Sequence, residues 1–203
     1  MIILLTVCTG NICRSPYAER LLQAGLDSLH PGQFNVTSAG TMAMLGHEMD
    51  RRSSERLIAA GGDPTGHQPR VLHNVMNVPY DIVFAMAEEH RADAVKESPR
   101  MLKRAYSIMM FAELFDMLAA DPASELVRGG DPASVSKRWK GIGVLASRVR
   151  SRIPLEDVTN FDVPDPYKLE DDAYDRMEAA LKPAIYRILA TEELVSTQDP
   201  GGH

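Results

Sequence analysis

The amino-acid sequence predicts an α/β fold, a parallel sheet covered by helices on both faces, on three observations. The chain opens on a short apolar run, Met1–Val7, that is rich in β-branched residues and of strand length. A second run, Tyr80–Met86, is apolar enough to read as a strand buried on both faces. Between and after these runs, apolar residues recur at helical spacing, and strands alternating with helices imply a parallel sheet.

The elements follow in order. After the first strand, Ala18, Leu21, Leu22, Leu26 and Leu29 recur at helical spacing. The first helix is therefore expected to start at about Pro16, where a missing N–H is no loss. Gln33–Ser38 alternates like a second strand and runs into Ala39-Gly40. Asp50–Ala60 reads as a helix stopped by Gly61-Gly62. Tyr80–Met86 is the third strand, Ala87–Glu97 a helix, Arg104–Ile108 a fourth strand and Phe111–Ala120 a helix. Ala173–Leu189 forms the last helix, which Pro183 is expected to kink. Between residues 121 and 160, Val135, Trp139, Ile142, Leu145, Val149 and Ile153 mark the stripe of an amphipathic helix, with Lys137, Arg138, Lys140, Arg148, Arg150 and Arg152 mostly off it. Trp139 reads as core. The basic face reads as solvated surface or as a patch that steers acidic substrates or docks a partner.

Composition sets outer bounds. The 203 residues, 44% hydrophobic and 25% charged, are enough for one well-buried core. No stretch reaches the ~20 apolar residues of a membrane span, and the apolar start lacks a basic leader and a small-residue cleavage site. A cytoplasmic protein is expected, with no membrane insertion and a monomer as the simplest state. Two cysteines, both in one loop, exclude a disulfide framework and a sulfur-based metal cluster. The six histidines His30, His47, His67, His73, His90 and His203 show no paired ligand spacing, so neither a metal nor a cofactor is expected. A net charge of −6 argues against general nucleic-acid binding.

Chemistry concentrates in Cys8-Thr9-Gly10-Asn11-Ile12-Cys13-Arg14-Ser15-Pro16, where the first strand gives way to the first helix. Gly10 and Asn11 adopt positive φ at least cost, so the loop can curl until its backbone N–H groups from Thr9 to Ser15 face one hollow. Such a hollow binds an oxyanion, and the positive end of the helix dipole adds to it. These surroundings favour the thiolate of Cys8, a nucleophile, while Arg14 presents a planar fork that matches two phosphate oxygens.

This nonapeptide, directly after an N-terminal strand, resembles the signature of the low-molecular-weight protein tyrosine phosphatases at all nine positions. The resemblance implies a three-layer, flavodoxin-like four-stranded parallel sheet with the loop at the carboxyl end of the first strand. It also implies metal-independent hydrolysis of phosphotyrosine proteins or aryl phosphates, in which Cys8 attacks phosphorus and a cysteinyl-phosphate forms. Against the family, residues of about 121–160 are an insertion that supplies an extra amphipathic helix. The domain organisation expected is one phosphatase domain over residues 1–193 with a flexible tail over 194–203.

The family keeps its general acid at an Asp-Pro dipeptide, which occurs here at Asp63, Asp121, Asp131, Asp165 and Asp199. Asp121 and Asp131 each open Asp-Pro-Ala-Ser before an apolar-periodic run and read as helix N-caps. Asp63 lies in a turn and Asp199 in the tail. Asp165 alone continues into Tyr167 ahead of the last helix, as in the family, and is assigned the acid; Asp162 is its competitor, with a loop-stabilising role as the alternative. Asn11, Ser15, Ser38 and His67 match the family's hydrogen-bonded loop support. Ser15 reads equally as a helix cap, and Ser38 and His67 as ordinary polar residues. Thr9, Ile12, Met44 and Tyr167 are expected at the pocket rim, where Met44 and Lys168 stand in places the family usually gives to aromatics. Cys13 reads as a packed thiol or, with slight preference, as the partner that captures oxidised Cys8 in a disulfide. Two other functions share these residues: an arsenate reductase using a small thiol on the same fold, and a non-catalytic phosphate-binding protein.

Overall fold

Every residue of the first strand except Ile3 is buried, because helices cover both faces of the sheet to which it belongs. The computed structural model describes residues 1–154 and 161–198. Among them are four strands, β1 (Ile2–Cys8), β2 (Phe34–Gly40), β3 (Ile82–Ala85) and β4 (Ala105–Ser107), in one sheet of order β2-β1-β3-β4. All three pairings are parallel; Cys8 stands opposite Gly40, and Val7 opposite both Ala39 and Ala85. The helices are α1 (Arg14–Leu29), α2 (Arg51–Ala59), α3 (Leu72–Val75), α4 (Glu88–Glu97), α5 (Ile108–Ala120), α6 (Pro132–Val149) and α7 (Asp171–Ser196).

The chain leaves β1 toward β2 on one side and returns to β3 on the other. That reversal opens a crevice at the carboxyl end of β1, where doubly wound sheets bind their ligands. Alternation along β1 assigns its residues to two cores: Ile2 and Leu4 pack with α1, α5, α6 and α7, whereas Leu5 and Val7 pack with Leu72, Met76, Ala94 and Met101.

Helix α6 enlarges the first of these cores. Trp139 is fully buried and meets Phe34 edge-on at 5.2 Å, which places it in the core as its spacing predicts. Asp131 caps α6 by accepting from the amides of Ala133 and Ser134. Three expectations are corrected. Asp121 is not a helix N-cap but the residue that ends α5; its carboxylate accepts from the Ala123 amide in a tight turn, because no helix starts at Pro122. Arg138 is not on a solvated basic face but fully buried, paired with the equally buried Glu192 of α7. Arg148 pairs with Glu125, and Arg150 lies 3.9 Å from Glu88. The last helix extends through Pro183 to Ser196 with Val195 buried, so residues 194–196, expected in a tail, are helical; packing of that turn against the core keeps them so. Asp199, His203 and the end of the insertion at 155–160 lie outside the described residues. No helix among the described residues is long and apolar enough to cross a membrane.

Candidate active site

Helix α1 begins at Arg14, two residues before the Pro16 expected to open it, which brings the amides of Arg14 and Ser15 into its first turn. Those of Gly10, Ile12, Cys13, Arg14 and Ser15 meet no backbone acceptor among the described residues. One strand-to-helix junction thus holds a set of unspent donors at a helix N-terminus, the composition of an oxyanion site.

The loop turns on Asn11, whose φ is 55°. Gly10 does not share this conformation, contrary to expectation; one left-handed residue closes the loop, and Asn11 takes it because its side chain bonds locally. Every polar group of Asn11 is used. Its Nδ2 donates to Ser15 Oγ at 2.9 Å and to Ser38 Oγ at 2.8 Å. Its Oδ1 accepts from the Arg70 amide at 2.8 Å, its carbonyl accepts from His67 Nε2 at 2.7 Å, and its N–H points at Cys8 Sγ at 3.3 Å. Burial holds the His67 pKa below its ordinary value, and since a carbonyl only accepts, the ring hydrogen lies on Nε2. The four support residues inferred from the family resemblance therefore meet in one network. Arg70, which the sequence reading passed over, completes it by clamping the Ser38 carbonyl with its guanidinium. Gly40 is required beside the loop: a Cβ there would stand 2.4 Å from the Thr9 carbonyl oxygen.

Cys8, at the end of β1, is buried with its sulfur between the Ser15 hydroxyl and the Asn11 amide. Ser15 Oγ, which accepts from Asn11, lies 2.9 Å from Sγ and 3.4 Å from the Ala39 carbonyl, and the Asn11 amide points at Sγ. A hydroxyl and a backbone amide are thus the polar groups nearest this sulfur. Cys13 is a contrast. It sits among Asp50, Ser53 and Tyr174, and burial followed by the Asp50 charge pushes its pKa up to about 12, the environment of a packed, protonated thiol.

Arg14 is buried beneath the pocket. Its Nη2 donates to Asp165 Oδ2 at 2.7 Å and lies 3.4 Å from Thr9 Oγ1; Nη1 donates to the Val163 carbonyl at 3.3 Å. Buried Nε has no partner among the described residues. The segment carrying Asp165 is tied to the sheet's carboxyl edge: the Val163 amide donates to the Met86 carbonyl at 2.7 Å, and Ser107 Oγ donates to the Phe161 carbonyl. Asp162 is spent on this attachment, accepting from the first amide of α4 at 2.8 Å. That bond gives it the loop-stabilising role and leaves Asp165 in the pocket.

The pocket has a volume of about 210 Å³. Cys8 and Arg14 lie in its lining, Asp165 is beside them, and the expected rim residues Thr9, Ile12, Met44 and Tyr167 all contribute. Met44 arrives there because residues 41–44 run along the loop, with amides of Thr41, Met42 and Met44 donating to the carbonyls of Cys8, Thr9 and Gly10. That register also brings in Met42, which sequence reasoning missed. Lys168 stacks its ammonium over the Tyr167 ring at 5.2 Å. His90 is the other residue missed: it is 1% exposed and bonds Thr9 from α4, and its spacing to other histidines carries no signal. A second, more open groove of about 750 Å³ between residues 45–49 and 64–69 is lined by no cysteine and touches this site through His67.

Fold and loop together define a doubly wound α/β protein with a cysteine-centred loop of unspent amides at its switch point. Residues 3–125 match the family described as low molecular weight phosphotyrosine protein phosphatase, and the chain belongs to that family. It is 39% identical over 98 residues to the low molecular weight protein-tyrosine-phosphatase Etp of Escherichia coli K12, covering 48% of this chain and 63% of that one. A putative low molecular weight protein-tyrosine-phosphatase of Klebsiella pneumoniae is 39% identical over 87 residues, covering 43% and 57%. The chain thus spans less than two thirds of the length of these curated relatives. Among solved structures, the Erwinia amylovora tyrosine phosphatase AmsI superposes with a TM-score of 0.63 at 21% identity, covering 94% of this chain and 93% of that one. Wzb from Escherichia coli K30, in complex with phosphate, gives 0.59 at 22%, covering 94% and 91%. At these identities the structural likeness carries the fold.

Proposed function

We propose that the protein hydrolyses aryl phosphate monoesters, phosphotyrosine in proteins foremost, through a cysteinyl-phosphate. The observation that carries this reading is that Asp165, Arg14 and Cys8 line one small pocket, with Asp165 bonded to the arginine that would hold the phosphate. An incoming phosphoryl group takes the loop amides and the Arg14 guanidinium, displacing Asp165 toward the leaving oxygen. Cys8 Sγ attacks phosphorus; the S–P bond forms as the P–O bond breaks, and protonated Asp165 gives its proton to the departing phenolate. The Asp165 carboxylate then takes a proton from a water that attacks phosphorus, breaking the S–P bond and releasing phosphate and the thiolate. Ile12, Met42, Met44 and Tyr167 supply an apolar mouth suited to an aromatic ring. We assign the protein to the cytoplasm, as a monomer.

The arsenate reductase alternative draws its resolving thiol from a small molecule and needs no acid for a phenolate, so Asp165 in the pocket lining favours the phosphatase. The test is turnover of p-nitrophenyl phosphate by wild type and Cys8→Ser, beside arsenate reduction with glutathione. Phosphatase activity lost in Cys8→Ser is the expected result. Activity retained in that variant overturns the mechanism, and arsenate reduction without phosphatase activity overturns the function.

A further inference from the structure

The mechanism gives no task to His90, a buried titratable side chain beside the pocket. His90, in the first turn of α4, has Nε2 2.9 Å from Thr9 Oγ1 and 3.5 Å from the Glu89 carboxylate. Its buried Nδ1 meets no hydrogen-bond partner among the described residues. These neighbours decide the tautomer. A carboxylate only accepts, so the ring hydrogen belongs on Nε2 and the bare lone pair on Nδ1. The reverse would bury an N–H with nothing to receive it and turn a lone pair toward Glu89. Burial, then the charge of Arg14, push the His90 pKa down to about 4 against a weaker opposing pull from Asp165, so the ring is neutral at neutral pH.

The Thr9 hydroxyl can now be accounted for completely. Its oxygen accepts from His90 Nε2–H, and the second nitrogen beside it, Arg14 Nη2 at 3.4 Å, only donates. Both lone pairs are directed at donors, which leaves the hydroxyl hydrogen free. Thr9 lines the pocket with Cys8 and Arg14. We propose that His90 is a positioning residue, which holds the Thr9 hydroxyl so that its hydrogen is presented to a phosphoryl oxygen in the Cys8 pocket. The loop amides thereby gain a side-chain donor. The inference rests on the reading of this pocket as a phosphoryl site.

The experiment measures inorganic phosphate binding by calorimetry and kcat/KM on p-nitrophenyl phosphate for Thr9→Val, Thr9→Ser, His90→Phe, His90→Gln and the double variant Thr9→Val/His90→Phe. One hydrogen bond to a charged group predicts that Thr9→Val and His90→Phe each lose roughly tenfold in both quantities, and that the double loses no more than either. Thr9→Ser keeps the hydroxyl and His90→Gln carries an N–H near the Nε2 position, so each should recover to within about threefold of wild type. A residue that served packing alone would not be rescued by glutamine. Losses that multiply in the double variant, or a Thr9→Val protein equal to wild type, overturn the inference; the Thr9 variants decide it should His90→Phe not fold. Phosphate binding is read without turnover. The expected pattern in a wild type that does not hydrolyse the ester overturns the proposed function alone, and multiplying losses in one that does overturn this inference alone.

Discussion

Arg14 Nη2 donates to Asp165 Oδ2 across 2.7 Å, joining residues 151 positions apart in the chain. The guanidinium that would clamp phosphate is thus held, before any ligand arrives, by the carboxyl group that would protonate the leaving group. Competition follows: a phosphate must displace Asp165 from Nη2. Asp165→Ala should therefore bind inorganic phosphate at least as tightly as wild type, while kcat on phosphotyrosine falls about 10²–10⁴-fold, the usual contribution of general acid catalysis. Calorimetry and steady-state kinetics read the two effects separately. Weaker phosphate binding in Asp165→Ala would show that the carboxylate organises Arg14 instead of competing for it.

Asn11 combines a left-handed backbone with a fully used set of hydrogen bonds, and substitutions can separate the two. Asn11→Ala should lose about 2–4 kcal/mol of stability and about 10²-fold in kcat, because Ser15, Ser38 and the Arg70 amide lose their common partner. Asn11→Gly removes the φ penalty and should be about 1 kcal/mol more stable than Asn11→Ala. It should be no more active. Urea denaturation with kinetics on each variant checks both statements.

The buried pair that docks α6 on α7 makes a prediction about stability alone. Glu192 accepts from Arg138 Nε and Nη2, Trp139 Nε1, His30 Nε2 and Ser196 Oγ, and both members of the Arg138–Glu192 pair are shielded from water. Glu192→Ala should cost about 3–5 kcal/mol by leaving a buried guanidinium unpaired. The double variant Arg138→Met/Glu192→Leu should recover much of that loss. Denaturant midpoints measure it, and kcat/KM of the folded variants should match wild type, since neither residue reaches the pocket.

Cys13 bears on how the nucleophile responds to oxidant. Peroxide converts Cys8 to a sulfenic acid, which Cys13 can attack as thiolate, forming a disulfide with loss of the hydroxyl as water. With its pKa raised to about 12, chiefly by burial, the Cys13 thiolate fraction grows about tenfold per pH unit throughout the neutral and mildly alkaline range. The rate of Cys8–Cys13 disulfide formation, followed by mass spectrometry, should rise without levelling off up to pH 9. A plateau near the ordinary thiol value of about 8.5 would mean that Cys13 is not held in the packed state.

The amino-acid sequence by itself determined the strand, the loop, the first helix and the chemistry concentrated in Cys8–Ser15. Those features depend on contacts only a few residues apart, where spacing and backbone preference dictate geometry. Asp165 and the support residues Ser38 and His67 were legible only through a family resemblance, since nothing local in the chain distinguishes them from other aspartates, serines and histidines. Local reasoning failed where two residues competed for one role. It shared positive φ between Gly10 and Asn11, and it set Arg138 among the solvated residues of α6 because charge usually stays in water. Tertiary structure decided what remained: which of Asp165 and Asp162 lines the pocket, the burial of Arg138, and the presence of Arg70, Met42 and His90 around the loop. Each of these depends on which strands neighbour β1 and on where the segments after β2, β3 and α6 return to its carboxyl end. That information lies in the packing of both faces of the sheet, and no spacing within one segment contains it.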